Sequence, residues 1–226
     1  MNLNIPYMET DNKLLNDAYR IAAGDIVGNI VYYQNGLLTE EKPCMIAGLD
    51  YNTPWTRDTA INIWNALSVL SPEVSKNTLL AVLEEEEGNI YIGGQYWDSI
   101  IWMIGAQEYC RFHKDDNFYR LAFEAGRNSV HRLEEDEFDE ADGLFRGPAV
   151  YGDGIAAYPD KYSKCPNQGS GILEWVDYPG NPVYPKGYGI PMKALSTNCV
   201  YFKAYEILAE MAHALGEPAK EFEEKA

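Results

Sequence analysis

Apolar residues recur at helical spacing along most of the chain, interrupted by two long stretches without any period. The first periodic segment is "DNKLLNDAYRIAAGDIVGNIVYYQ", residues 11–34, with Leu14, Leu15, Ala18, Ile21, Ala22, Ile26, Ile30 and Tyr33 three to four apart. Asp11 is placed to cap it, and Gly24 and Gly28 offer a small-residue surface for another helix. Residues 35–57 carry Gly and Pro without period and read as a long loop. "DTAINIWNALSVL", 58–70, predicts a second helix, and the next segment opens with Ser71 as cap and Pro72 in the first helical position. "EEEEGNIYIGGQ", 84–95, reads as a solvated helix end broken at Gly88, then a short extended piece. "YWDSIIWMIGAQEYCRFH", 96–113, is apolar on most faces, as an inner helix would be, while 115–136 is amphipathic. From 137 to about 195 the period disappears again. "STNCVYFKAYEILAEMAHALG", 196–216, is helical, capped by Ser196 or Thr197, and a further helix starts at Pro218.

Six helices and the start of another, with neither βαβ alternation nor a hairpin series, predict an all-α fold of antiparallel helix hairpins. Loops longer than about 15 residues inside a compact domain are usually functional or disordered. These two are aromatic-rich and lack the charge runs of disorder, so they are the places to look for a site.

Charge narrows the partners. With 18 basic and 35 acidic side chains the formal net charge is −17, which repels nucleic acid and anionic membrane surfaces. No apolar run reaches the length of a membrane span, and "MNLNIPYMETDNKLL" lacks the features of a signal peptide, so a cytoplasmic protein is expected. Cys44, Cys110, Cys165 and Cys199 form no CxxC or Cys/His pattern and read as reduced thiols. His113, His131 and His213 are scattered, so neither a metal nor another cofactor is expected. The absence of GxSxG, a P-loop and GxGxxG removes the main supports for acyl transfer, nucleotide hydrolysis and dinucleotide redox chemistry.

The aperiodic stretches hold the chemistry. "YNTPWTRDT", 51–59, sets Tyr51 and Trp55 beside Arg57 and Asp58 at a helix start. Stacking faces next to directional donors and acceptors suit a sugar ring; a helix N-terminus with an acidic first turn is the plainer reading. "GGQYWDS" repeats the combination with Trp97 and Asp98, where Asp98 also suits a cap or first-turn position. "FDEADGLFRGPAVYGDGIAAYPD" contains Arg146 and an aspartate, Asp153, between two glycines. Asp153 is either a turn residue or a carboxylic acid that burial beside Tyr151 and Tyr158 would tune for proton donation. Glu174, Trp175 and Asp177 could form a subsite wall, and Asn198 sits at a helix start as a cap or a rim residue.

Taken together, "WTRD", "QYWDS", "GLFRGPAVYGDG" and "STNCVYFKAYEILAEMA" resemble the six-hairpin (α/α)6-barrel glycoside hydrolases, the superfamily of glucoamylase-like, trehalase-like and processing-glucosidase-like enzymes. The resemblance runs from about residue 11 onward. It implies that residues 1–226 form a single partial domain, about the first half of an (α/α)6 toroid with its long loops on one rim. Arg57 and Asp58 would hold hydroxyls of a terminal sugar, with Tyr51 and Trp55 as walls. Trp97, Asp98, Arg146 and Asn198 would line the same subsite, and Asp153 would be the general acid. The activity implied is exo-acting hydrolysis with inversion, in which the two carboxyls lie roughly 6.5–9.5 Å apart. Such enzymes take their general base from the second half of the ring. The chain is therefore expected either to pair with a copy of itself or to need that half. A non-catalytic carbohydrate-binding or assembly module is the alternative; a sugar epimerase or isomerase is disfavoured by the scattered histidines.

Overall fold

The computed structural model describes residues 5–94, 97–147, 149 and 193–226, and of Trp97 the backbone only. Mostly helical, the chain divides into two compact units, Met1–Gly94 with Trp102–Ala125, and Gln95–Ile101 with Gly126–Ala226.

In the first unit α1, Lys13–Gly28, is capped by Asn12 rather than Asp11: its side-chain oxygen accepts from Leu14 N at 3.0 Å and Leu15 N at 3.3 Å. No residue of α1 is buried, so Leu14, Leu15, Ile21 and Val27 stand exposed, and nothing approaches the space a side chain would fill at Gly24 or Gly28. The helix also ends earlier than its period predicts. Ile30–Tyr33 form β1, paired antiparallel with β2, Lys42–Met45, in the register Ile30↔Met45 to Tyr33↔Lys42. The β-branched and aromatic run Ile-Val-Tyr-Tyr prefers a pleated surface. It happens to continue the helical spacing, which conceals the switch. β2 likewise lies within the stretch expected to be loop.

This hairpin packs on α4, Pro72–Ala81, through Leu38, Cys44 and Ala81, and Met45 N donates to Thr78 Oγ1 at 3.0 Å. Ser71 and Pro72 take the positions expected of them, although the Ser71 side chain makes no capping bond. Between these elements runs a helix in three parts: α2, Thr56–Asn62; a π-helical turn, Ile63–Leu67; and α3, Ser68–Leu70. The widened turn buries Ile63 and Leu67 and leaves Trp64 half exposed. The glutamate run is solvated as expected, but as strand: β3, Leu83–Glu86, pairs with β4, Asn89–Ile92. The hairpin turns at Glu87 and Gly88, both at positive φ (51° and 81°), as a tight turn matched to strand twist requires.

Helices α5, Trp97–Phe112, and α6, Asp116–Glu137, contribute residues to both units. In the first unit the fully buried Trp102 donates its indole N–H to Leu79 O at 3.2 Å. Phe118 packs against Trp102 and Tyr109, with ring centroids 6.2 and 4.9 Å away. Asp115 caps α6 through Phe118 N at 3.0 Å and accepts from Lys76 at 2.5 Å, which holds its carboxyl below the usual range.

The second unit has a third hairpin, β5 (Phe138–Asp139) with β6 (Leu144–Phe145), then α7, Leu195–Leu215, and α8, Lys220–Lys225. The cap of α7 is Ala194, without a side-chain bond, rather than Ser196 or Thr197; its other end closes on Gly216 at φ 74°. The all-α expectation is thus corrected to a mostly helical chain: among the described residues three short antiparallel hairpins interrupt the helices. Among the described residues no helix is long and apolar enough to cross a membrane.

A side chain at Gly105 on α5 would place its Cβ 2.8 Å from Ala60 Cα and 3.0 Å from Ala60 O, both immovable backbone atoms. Gly105→Val is expected to cost about 2 kcal/mol in urea denaturation. Gly105→Ala should cost less, because better helix propensity offsets up to about 1 kcal/mol.

Candidate functional site

In the first unit the opening of α2 displays its aromatics by anchoring their neighbours. Pro54 and Thr56 are buried on either side of Trp55, and Thr56 Oγ1 donates to Gly93 O at 2.9 Å. Trp55 itself is extended (φ −112°, ψ 140°), so its indole turns away from those two. It remains 49% exposed and Tyr51 51%, their rings edge-to-face at 6.1 Å and 75°. Half of the indole surface is thus left open to an apolar ligand surface. Directly behind, Arg57 Nε lies 3.9 Å from Asp58 Oδ2, with side chains 22% and 33% exposed. Asp58 stands in the first turn, where the helix N-terminus favours a carboxylate. Four of the predicted residues thus form one local group.

The remaining candidates belong to the second unit or fall outside the described residues. Asp98 sits in the first turn of α5, half-buried. The Trp97 side chain, Asp153, Tyr151, Tyr158, Glu174, Trp175, Asp177 and Cys165 lie outside the described residues. Arg146 points its guanidinium at β5: Nη2 is 2.9 Å from Asp139 Oδ2, while Nη1 donates to Glu137 O and Phe138 O at 3.4 Å. Asn198 is one turn into α7, not at its cap. Its Oδ1 accepts from Phe145 N at 2.8 Å, and its Nδ2 donates to Phe145 O at 3.1 Å and Ala194 O at 3.0 Å. Both side chains therefore hold backbone in place.

Sequence reasoning missed a half-open cavity of about 650 Å³ in this unit, lined by Phe138, Phe145, Asn198, Tyr201, Phe202 and Tyr205. Phe145 and Tyr201 stack face to face at 3.6 Å and 2°. The missed signal is "VYFKAY", whose aromatics read as a helical core; Phe202 is in fact half exposed. Beside the cavity, Tyr205 OH donates to Glu134 Oε1 at 2.5 Å; burial first, then Glu134, push its phenol well above the usual range.

Among the described residues one group of metal-ligand type comes together in space: His131, Glu134 and Glu221, whose donor atoms lie within 4.8 Å of one another. Separated by 90 positions in sequence, His131 and Glu221 could not be paired by spacing. Lys225 supplies a positive charge there, bonding Glu134 at 2.6 Å and Glu221 at 2.9 Å, so both carboxylates already share a cationic partner. Cys44, Cys110 and Cys199 are free; burial pushes the Cys44 and Cys110 thiols up to about 12, which makes them inert at neutral pH.

No family model, no curated protein and no solved structure matches the chain.

The bond from Lys225 is the largest influence holding the Glu221 carboxyl below its ordinary 4.5. A depressed carboxylate stabilises the fold above its ordinary value, and that contribution is lost as pH falls through the lower folded value. Lys225→Met should therefore lower Tm near neutral pH, with the gap to wild type closing below about pH 4 in thermal melts across pH.

Proposed function

We propose that the chain is a glycoside hydrolase domain, or half of one, built on an (α/α)6 toroid and acting at a terminal sugar. The observation that carries this reading is the group at the start of α2. Tyr51 and Trp55, each about half exposed, pair edge to face, and Trp55 directly precedes the turn that carries the partly exposed Arg57–Asp58 pair. A pyranose presents apolar C–H faces and a girdle of hydroxyls. An indole takes the face, while a guanidinium donates to the hydroxyls and a carboxylate accepts from them. The acidic balance of the chain suits a neutral substrate.

In the proposed reaction the Asp153 carboxylic acid protonates the glycosidic oxygen as the bond to the anomeric carbon breaks. Water attacks that carbon from the opposite face and gives its proton to a second carboxylate, which leaves the configuration inverted. Arg57 and Asp58 would fix the terminal ring so that the anomeric carbon meets acid and water in line. By the resemblance, the general base would come from the other half of the ring, supplied by a second chain or by further helices.

Arg146 and Asn198, expected to line the sugar, are instead engaged with Asp139 and the Phe145 peptide, so neither is part of the proposed sugar wall.

Calorimetric titration with a panel of glucosides, mannosides and disaccharides tests the sugar-binding wall. Trp55→Ala should weaken binding about tenfold, roughly 1.4 kcal/mol, with Tm unchanged. If no saccharide binds at millimolar concentration, the reading fails. In a form that hydrolyses, Asp153→Asn should slow turnover by about 10²–10⁴ while leaving binding intact. Binding without turnover in any assembled form selects the carbohydrate-binding module instead.

A further inference from the structure

Just past the β5–β6 hairpin, Gly147 and Lys193 form a parallel β-bridge. Beside it Phe145 is held at both its N–H and its carbonyl by Asn198, and Arg146 N donates to Glu137 O at 2.9 Å.

Both sides of the bridge converge on one carboxylate. Asp139 Oδ2 receives Arg146 Nη2 at 2.9 Å from one side of the bridge and Lys193 Nζ at 2.7 Å from the other. Its other oxygen, Oδ1, accepts from Ala141 N at 3.1 Å, which fixes the rotamer from behind. Asp142 adds a second bond to Lys193 at 2.6 Å. Two cations thus face two carboxylates, and Asp139 alone of the two touches both cations.

We propose that Asp139 is an electrostatic pin, tying the backbone at Arg146–Gly147 to the backbone at Lys193. It is a positioning residue: it keeps these two distant stretches of sequence side by side at the end of the β5–β6 hairpin. Its carboxyl stays ionised because the bond from Lys193, then that from Ala141 N–H, hold it below the usual range. The ion pairs therefore persist throughout the neutral range and weaken as acid protonates the carboxylate. High salt weakens them too, since the groups are partly exposed and open to screening.

Amide hydrogen exchange on the full chain tests this without reference to turnover, so its result is independent of the hydrolase reading. Asp139→Asn keeps the shape and removes the charge. Exchange at the Phe145 and Arg146 amides should rise at least tenfold while Ile207 and Leu208, in the core of α7, keep their protection. Asp139→Glu should restore part of the protection. Lys193→Met, which removes one arm only, should show the same local rise and serves if Asp139→Asn does not fold. Unchanged exchange at Phe145 and Arg146 would overturn the proposal. So would an equal rise at Ile207 and Leu208, which would make Asp139 a residue of general stability.

Discussion

The first unit depends on one backbone-to-backbone approach. α5 crosses α2 where Gly105 meets Ala60, and there is no room for even a methyl group between them. Because the helices meet at their backbones, their relative position is fixed by hard contact rather than by adjustable side chains. Three residues earlier on α5, Trp102 is wedged against α4 and donates to the Leu79 carbonyl, so a third helix is held by the same element. The start of α2 inherits that rigidity.

That inheritance explains how an aromatic pair can be exposed without being loose. Thr56 is bonded to Gly93 beyond β4, and Pro54 is buried on the other side of Trp55. The chain spends two anchors to present one indole. Exposed aromatics scattered over a surface need no explanation, but one bracketed by buried neighbours and followed by an Arg–Asp pair is a built surface. The second unit uses its polar residues differently. Arg146 and Asn198, which on chemistry alone are as suited to a ligand, bond to backbone and to Asp139, and the space beside them is walled by aromatic rings.

Where one element filled one uninterrupted period, the sequence was readable: α4, α5, α6 and α7 lie close to their expected spans. It misled where two structures share a spacing. Ile30 and Tyr33 extend the period of α1 while belonging to a strand, and only their β-branched and aromatic character separates the two states. Short hairpins such as Phe138–Asp139 with Leu144–Phe145 are below the length at which alternation can be recognised. Capping residues were misplaced by one to three positions at Asn12 and Ala194, as expected when several candidates stand together. The local group Tyr51, Trp55, Arg57 and Asp58 was legible because it is contiguous. The partners Asp139 and Lys193, or His131 and Glu221, were not, since nothing in a single sequence marks charges that meet across more than fifty residues.

The π-helical turn at Ile63–Leu67 carries a consequence for how this segment tolerates change in length. Such a turn holds one residue more than the α-helix it interrupts. Deleting a residue there would let hydrogen bonding revert to the ordinary ladder without breaking the rod. Yet everything upstream, Arg57 and Asp58 included, would swing about the helix axis by about 100° relative to Ser68. The extra residue thus acts as a phase setting: it lets the same rod seat Ile63 and Leu67 inward while dictating the compass bearing of the side chains at its head.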